Sequence, residues 1–327
     1  MTIAELTDKE IRSHPEPSVH EPTRRGLDRW RAGRPGSAGT ALLDYLAQQL
    51  DRLDREDRRV RNSEPDSVHQ MRIAARRLRS ALQSYRPLLD RGRTEPVVDG
   101  LRELGRALAP ARDAEVLRTG ISAGLDDLDP ELRLGPVQAL VTRHFAREES
   151  EAAAGVMTAL DGEPYARLRA GLDTLLDRPP LRRRARGKAS DVLPSLVGRT
   201  GRRLQKAVAE ASDPSNDSRD TALHAARKAG KRLRYATEVA RPAVGKPAKR
   251  FANGLKPFHK ALGDHQDAVV ARVALRELGG KAHAEGNNGF SLGVLHGQAE
   301  ARAAQVEREL GGLWKRAWTR KATRWMR

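Results

Sequence analysis

The chain has 327 residues, no cysteine, a formal net charge of +18 and only 4% aromatic residues. The lack of cysteine excludes disulfides and thiolate metal sites, and no apolar run approaches the ~20 residues that a membrane-spanning helix requires. A composition rich in Ala, Leu, Arg and Glu predicts an all-α protein, and the positive charge predicts an anionic partner. We therefore expect a cytoplasmic protein with no membrane association and no secretory signal.

The N-terminal segment, residues 1–37, is rich in proline, glycine and arginine and lacks a continuous hydrophobic pattern. This composition predicts a flexible basic tail that adds only non-specific attraction for anions. A regular helical spacing of leucines begins at about Thr40 and marks the start of the folded region, which is predicted to cover 38–327.

A strongly basic helix is predicted to begin near His69 and to stop near Asp90–Gly92. At ~100° per residue, three basic side chains fall within about 80° on one side of the histidine. These side chains are Arg72, Arg76 and Arg79. Apolar side chains such as Leu78 cluster around the opposite pole, so the helix is predicted to pack that side into a core and to present a basic stripe on the other.

The same helix recurs 155 positions later, where nine of the nineteen positions from His69 to Pro87 are identical. The second basic stripe consists of His224, Arg227, Lys231 and Arg234. Asp66 and Thr221, each three residues before the histidine, are predicted N-caps. Like charges repel along a helix, yet no acid interrupts the face positions of the first stripe, and this favours a shared anionic ligand over an ordinary solvated face.

The repeat extends beyond one helix, because the segment after Ala107 resembles the segment after Ala261, including Asp113 and Asp267. The repeated unit is therefore a helical hairpin, and the two aspartates are predicted to be N-caps or first-turn acids. A glycine-rich loop at 279–289 is predicted to precede a final helix, Leu292–Trp325.

A basic linker over 178–190 is predicted to divide the folded region into a first helical half, 38–177, and a second, 191–327. Further basic residues are candidates for a secondary lining of the site. They are Arg77 and Arg232, which follow the repeat stripes, and Arg199, Arg202, Arg203 and Lys206, which form a third stripe at helical spacing.

The paired motifs His-x-x-Arg-x-x-x-Arg-Arg-Leu-Arg and His-x-x-Arg-Lys-x-x-Lys-Arg-Leu-Arg resemble the conserved histidine α-helical domain, the CHAD family. The resemblance implies two similar helical bundles related by pseudo-two-fold symmetry. It also implies non-catalytic binding of inorganic polyphosphate by the residues of the two repeat stripes. Polyphosphate-metabolising enzymes and polyphosphate granules are the partners that such a protein is expected to have.

Three other functions use the same basic face. Nucleic acid presents the same phosphates, but the stripes lack aromatic side chains for base stacking, so it is expected only as a non-specific competitor. An acidic protein is the second alternative. An enzyme or a phosphohydrolase accessory is the third and least favoured, because no Walker loop or two-metal carboxylate cluster is visible. No catalytic residue, metal site or cofactor is predicted.

Overall fold

The computed structural model describes residues 25–213, 215 and 217–327. Over these residues the protein is all-α, as the composition predicts, and its only β-structure is two isolated bridges. The helices are α1 (Arg25–Gly33), α2 (Ala38–Arg61), α3 (Ser67–Ser84), α4 (Arg91–Ala107), α5 (Ala109–Asp127), α6 (Val137–Asp161), α7 (Glu163–Asp177), α8 (Ala189–Ala211), α9 (Arg219–Val244), α10 (Lys246–Gly254), α11 (Lys256–Ala284), α12 (Phe290–Ala317) and α13 (Arg320–Thr323). None of these helices combines the length and the apolar character needed to cross a membrane.

One large hydrophobic core takes side chains from both halves of the chain. Leu46 of α2, Leu78 of α3 and Leu233 of α9 belong to the same cluster, and each is at most 2% exposed. The buried hydroxyl of Tyr85, just after α3, donates to the carbonyl oxygen of Ala236 in α9 at 2.7 Å. A smaller second core lies among α5, α6, α11 and α12. The two halves therefore share their main core and are not independent units.

The repeat helices α3 and α9 pack directly against each other through two matching contacts. Arg77 pairs with Glu238 at 3.2 Å, and Arg232 donates to Gln83 at 2.6 Å. Arg77 and Arg232 are 155 positions apart, and so are Gln83 and Glu238, which makes the two contacts reciprocal. This reciprocity is what a local two-fold relation between α3 and α9 produces. The pseudo-two-fold symmetry of the whole chain stays a prediction.

The first repeat helix ends at Ser84, earlier than the predicted end near Asp90–Gly92. Pro87 has no N–H for a further helical bond, so the chain turns into a short 3₁₀ segment over Arg86–Leu88. The second copy differs, since Pro242 lies inside the last turn of α9. The two repeat helices therefore have different lengths despite their sequence identity.

Two predicted boundaries near the C-terminus are also wrong. The stretch 279–289, predicted as a loop, is helical for its first half because Leu278 and Ala282 of α11 are buried in the second core. That burial outweighs the helix penalty of ~1 kcal/mol for a glycine. The predicted final helix, Leu292–Trp325, breaks after α12, and Thr319 caps the short α13 by accepting from a backbone N–H at 3.1 Å.

The segments predicted as tail and linker are partly folded onto the core. Leu27 of α1 is 0% exposed within the main core, so the end of the predicted tail is fixed in place. A β-bridge joins Ser37 to Lys188, and Ala185 inside the linker is fully buried. Packed apolar side chains override the basic, proline-rich composition in both segments. Residues 1–24 of the predicted tail lie outside the described residues.

Candidate anion-binding site

Each repeat helix carries its predicted stripe along one side. Seven of the eight predicted residues are half-buried, and Arg234 is exposed. The eight residues are His69, Arg72, Arg76 and Arg79 on α3, and His224, Arg227, Lys231 and Arg234 on α9. Leu78 and Leu233 on the opposite sides are buried, as the helical period predicts. The stripes are thus the outer sides of two core helices, partly covered by the helices that flank them.

The starts of the two repeat helices differ from the predicted caps. Asp66 lies at the N-cap of α3 with a positive φ of 61°, and its carboxylate accepts from the Gln70 side chain at 2.7 Å rather than from a backbone N–H. Thr221 lies inside α9, which begins two residues earlier. His69 lies in the first turn of α3, whereas His224 lies in the second turn of α9, where its Nδ1 contacts the Gln266 side chain.

One arginine of each stripe is paired with an aspartate from a neighbouring helix. Arg72 lies 3.2 Å from Asp113, and Arg227 lies 3.5 Å from Asp267. Arg72 also donates to the carbonyl oxygen of Ala109 at 3.0 Å, at the junction of α4 and α5. The prediction that the aspartates are N-caps or first-turn acids is therefore wrong, because both lie beyond the first turn inside their helices and serve as ion-pair partners.

The two stripes meet where α3 packs against α9. The charge of Arg76 acts on Arg227 and Lys231 across this contact. The same charge acts on His69 and Arg79 along its own helix. Burial, together with the charges of Arg76 and Arg227, lowers the pKa of Lys231 to about 7. Arg76 also has a buried Nε without a hydrogen-bond partner. The stripes therefore form one basic field with Arg76 at its centre.

Three further arginines extend this field, and the sequence reasoning missed them. Burial lowers the pKa of Arg79, and Arg102 and Arg106 of α4 lower it further. Burial also lowers the pKa of His69, and the next contribution is the charge of Arg112 of α5. The i, i+4 spacing of Arg102 and Arg106 on α4 was a signal that could have found two of them.

Arg77 does not line the basic field, contrary to its predicted role. It pairs with Glu238 and lies over the ring of Tyr235, with its guanidinium carbon 5.6 Å from the ring centroid. Both Arg77 and Glu238 line a separate cavity of about 870 Å³, together with Tyr45. Burial raises the pKa of Tyr45, whose hydroxyl donates to Glu238 at 2.9 Å. Arg77 follows Arg76 by ~100° around the helix, which directs it away from the stripe.

The other secondary residues are only partly connected to the stripes. Burial lowers the pKa of Arg232, and the charges of Arg203 and Arg79 lower it further, so Arg203 of α8 adjoins the field. The remaining predicted residues of α8 are exposed, namely Arg199, Arg202 and Lys206. Lys206 pairs with Glu210 at 3.8 Å.

A cluster of a histidine and two carboxylates lies beside α11 and was not foreseen. His265 Nε2 is 3.4 Å from Asp220 and 3.2 Å from Glu307, and the three potential ligand atoms lie within 4.8 Å of one another. Arg272 pairs with Asp220 at 2.9 Å, and Arg219 pairs with Glu307 at 3.1 Å. The two guanidinium charges balance the two carboxylates, and the cluster joins α9, α11 and α12 around the buried ring of His265.

The fold and the site define an all-α protein whose two repeat helices present one continuous basic field. The CHAD domain matches residues 44–276, and the chain belongs to this family. The uncharacterized proteins MT2285 and Rv2226 of Mycobacterium tuberculosis are each 34% identical to it over 265 residues, which is 81% of this chain and 50% of theirs. The chain thus spans about half the length of the curated relatives it matches.

Two solved structures share the fold. PptA from Streptomyces chartreusis superposes with a TM-score of 0.69 at 22% identity, covering 85% of this chain and 99% of PptA. The CHAD domain from the plant Ricinus communis gives a TM-score of 0.66 at 26% identity, with 86% of this chain and 92% of that domain covered.

Proposed function

We propose that this protein binds inorganic polyphosphate along the basic field formed by α3 and α9, without hydrolysing it. The position of Arg76 carries the proposal, because its charge acts on cations of both stripes. A linear polyanion gains most from such a field, since consecutive phosphates can contact cations from both helices at once. The CHAD family membership supports the same ligand.

The chemistry of the lining favours phosphate over bases. Arginine presents a planar fork that binds phosphate oxygens in a bidentate manner, and most of the predicted lining is arginine. The stripe cations are half-buried, so an anion that replaces their water meets charges that are already partly desolvated. Tyr235, the aromatic residue of α9, is only 4% exposed and lies beneath Arg77, so it is not available to stack on a base.

Binding rather than catalysis is the proposed activity. The acids Asp113, Asp267 and Glu238 are each paired with an arginine of a stripe. This arrangement holds the phosphate-binding side chains in place but assigns no group to activate water. Release of phosphate from polyphosphate in the presence of Mg²⁺ or Mn²⁺, lost on Arg76→Gln, would overturn this part of the proposal.

The experiment is a calorimetric titration of the full chain with short and long polyphosphate over a series of salt concentrations. We expect affinity to fall steeply with salt, in proportion to the number of neutralised phosphates, and to exceed that for single-stranded DNA of equal charge. Arg76→Gln should weaken binding strongly. The matched control is Arg143→Gln, which removes one positive charge from an exposed pair between α6 and Glu285 at the end of α11. An equal loss in both variants, or no binding at low salt, would refute the proposed site.

A further inference from the structure

Lys231 lies among arginines at the contact of α3 with α9. It is half-buried, and Arg227 precedes it by one helical turn on α9. The charges of Arg72 and Arg76 act on it across the contact, and that of Arg227 along its own helix. Asp267 of α11 acts on it with the opposite charge, but its carboxylate is 59% exposed and already paired with Arg227. The helices are held in this arrangement by the reciprocal contacts of α3 and α9 and by their shared core. The backbones that carry these cations are therefore held close together.

Only one member of this cluster can relieve the repulsion by losing its proton. Arginine stays charged at any ordinary pH, whereas a lysine that is buried among like charges readily becomes neutral. His259 of α11 is a further titratable group nearby, and the charges of Arg234 and Lys231 act on it. Burial lowers the pKa of His259 to about 4, so its ring is neutral above pH 6 and does not compete for the proton.

The two halves differ in their chemistry at this point. The counterpart of Lys231 in the first repeat is Arg76, 155 positions earlier. Where α3 contacts α9, the α3 stripe therefore carries a permanent charge, while the α9 stripe carries a group that titrates. Burial and the charges of Arg76 and Arg227 lower the pKa of Lys231 to about 7, in agreement with this reasoning.

We propose that Lys231 takes up a proton when polyphosphate binds, so that the affinity for polyphosphate decreases as the pH rises above neutrality. This inference rests on the proposed function. A phosphate at the crossing stabilises the charged ammonium and so shifts its titration to higher pH in the complex. At a pH between the pKa of Lys231 in the free protein and its pKa in the complex, binding takes up a proton from the buffer. One linked proton changes the affinity by at most about tenfold per pH unit.

Proton uptake can be measured separately from affinity. Long-chain polyphosphate is titrated into the full chain at pH 8 and fixed salt, in buffers with different enthalpies of ionisation. The dependence of the observed heat on the buffer enthalpy gives the number of protons taken up. Long chains keep the titrating end groups of the ligand few. We expect an uptake approaching one proton for the natural chain.

Lys231→Arg is the matched variant, because it keeps the charge and removes the titration. It should take up close to no proton and should lose the decrease in affinity between pH 7 and 9. Lys231→Gln provides the same test without a buried charge, in case the larger guanidinium disturbs the packing. Equal uptake in the natural chain and in both variants would overturn the inference while leaving the binding proposal intact. Failure of all three proteins to bind at pH 6 would instead overturn the proposed function itself.

Discussion

Asp267→Asn is expected to strengthen polyphosphate binding, although it alters a residue that contacts Arg227 directly. The Asp267 carboxylate lies 3.5 Å from a guanidinium nitrogen of Arg227 and neutralises part of the basic field. Asparagine has nearly the same shape but carries no charge. The change therefore frees Arg227 for the ligand and removes a repulsion between the carboxylate and phosphate.

The structure limits the size of this gain. The side chains of Asp267 and Arg227 are 59% and 23% exposed, and pairs of this kind contribute about 0–1 kcal/mol. Since about 1.4 kcal/mol corresponds to a factor of ten, we expect at most about a fivefold increase in affinity at low salt. Asp113→Asn in the first half should give a smaller increase, because Arg72 is still held by the carbonyl oxygen of Ala109.

The assay is the same calorimetric titration at two ionic strengths, and the gain should shrink as salt screens the field. Glu285→Gln is the control, since it changes the net charge equally but lies eighteen residues further along the chain, just beyond α11. At 1.5 Å per helical residue this is ~27 Å from Asp267, well beyond the Debye length of about 10 Å at 0.1 M salt, which is the lower of the two ionic strengths. If Asp267→Asn binds no better than Glu285→Gln, Arg227 does not contact the ligand.

Three further predictions concern stability. Tyr85→Phe removes the buried bond to the carbonyl oxygen of Ala236 and should lower the free energy of unfolding by about 1 kcal/mol in urea denaturation; an unchanged value would mean that the bond contributes nothing. Leu233→Asp places a carboxylate at a fully buried position and should abolish cooperative thermal melting, whereas Lys228→Asp on the exposed side of α9 should still melt cooperatively. Because burial lowers the pKa of His259 to about 4, the unfolded chain binds more protons between about pH 6.5 and 4, so stability should fall as the pH decreases across this range. His259→Asn should flatten that decrease in a series of thermal melts, and an equally steep decrease would refute the assignment to His259.

The basic stripes of the repeat helices and the buried apolar sides opposite them could be predicted because they depend only on local helical geometry. Once a segment is helical, the positions of Arg72, Arg76 and Leu78 around the axis follow from the helical period. The all-α fold followed from composition for a similar reason, since helix propensity is a local property. The sequence alone was therefore sufficient to place the first stripe opposite the core.

The partners of the stripes could not be predicted, because they come from distant parts of the chain. Arg72 meets Asp113 only when α5 folds back beside α3, and the sequence gives no sign of that contact. The helical period already turns Arg77 away from the stripe, but its partner Glu238 comes from α9 and could not be identified from the sequence. Gly279 was expected in a loop, although burial of its neighbours keeps it helical. Tertiary packing decided each of these cases.

The shared core has a consequence for how the chain folds. Tyr85 and Ala236 are 151 positions apart, and the main core joins residues with comparably large separations. Contacts of this range must close long loops before they stabilise anything, so folding is expected to be slower than in helical proteins with local contacts. A fragment that ends at the linker would expose the apolar sides of α2 and α3 to water. The halves therefore depend on each other for stability, and unfolding should occur as a single cooperative transition across both.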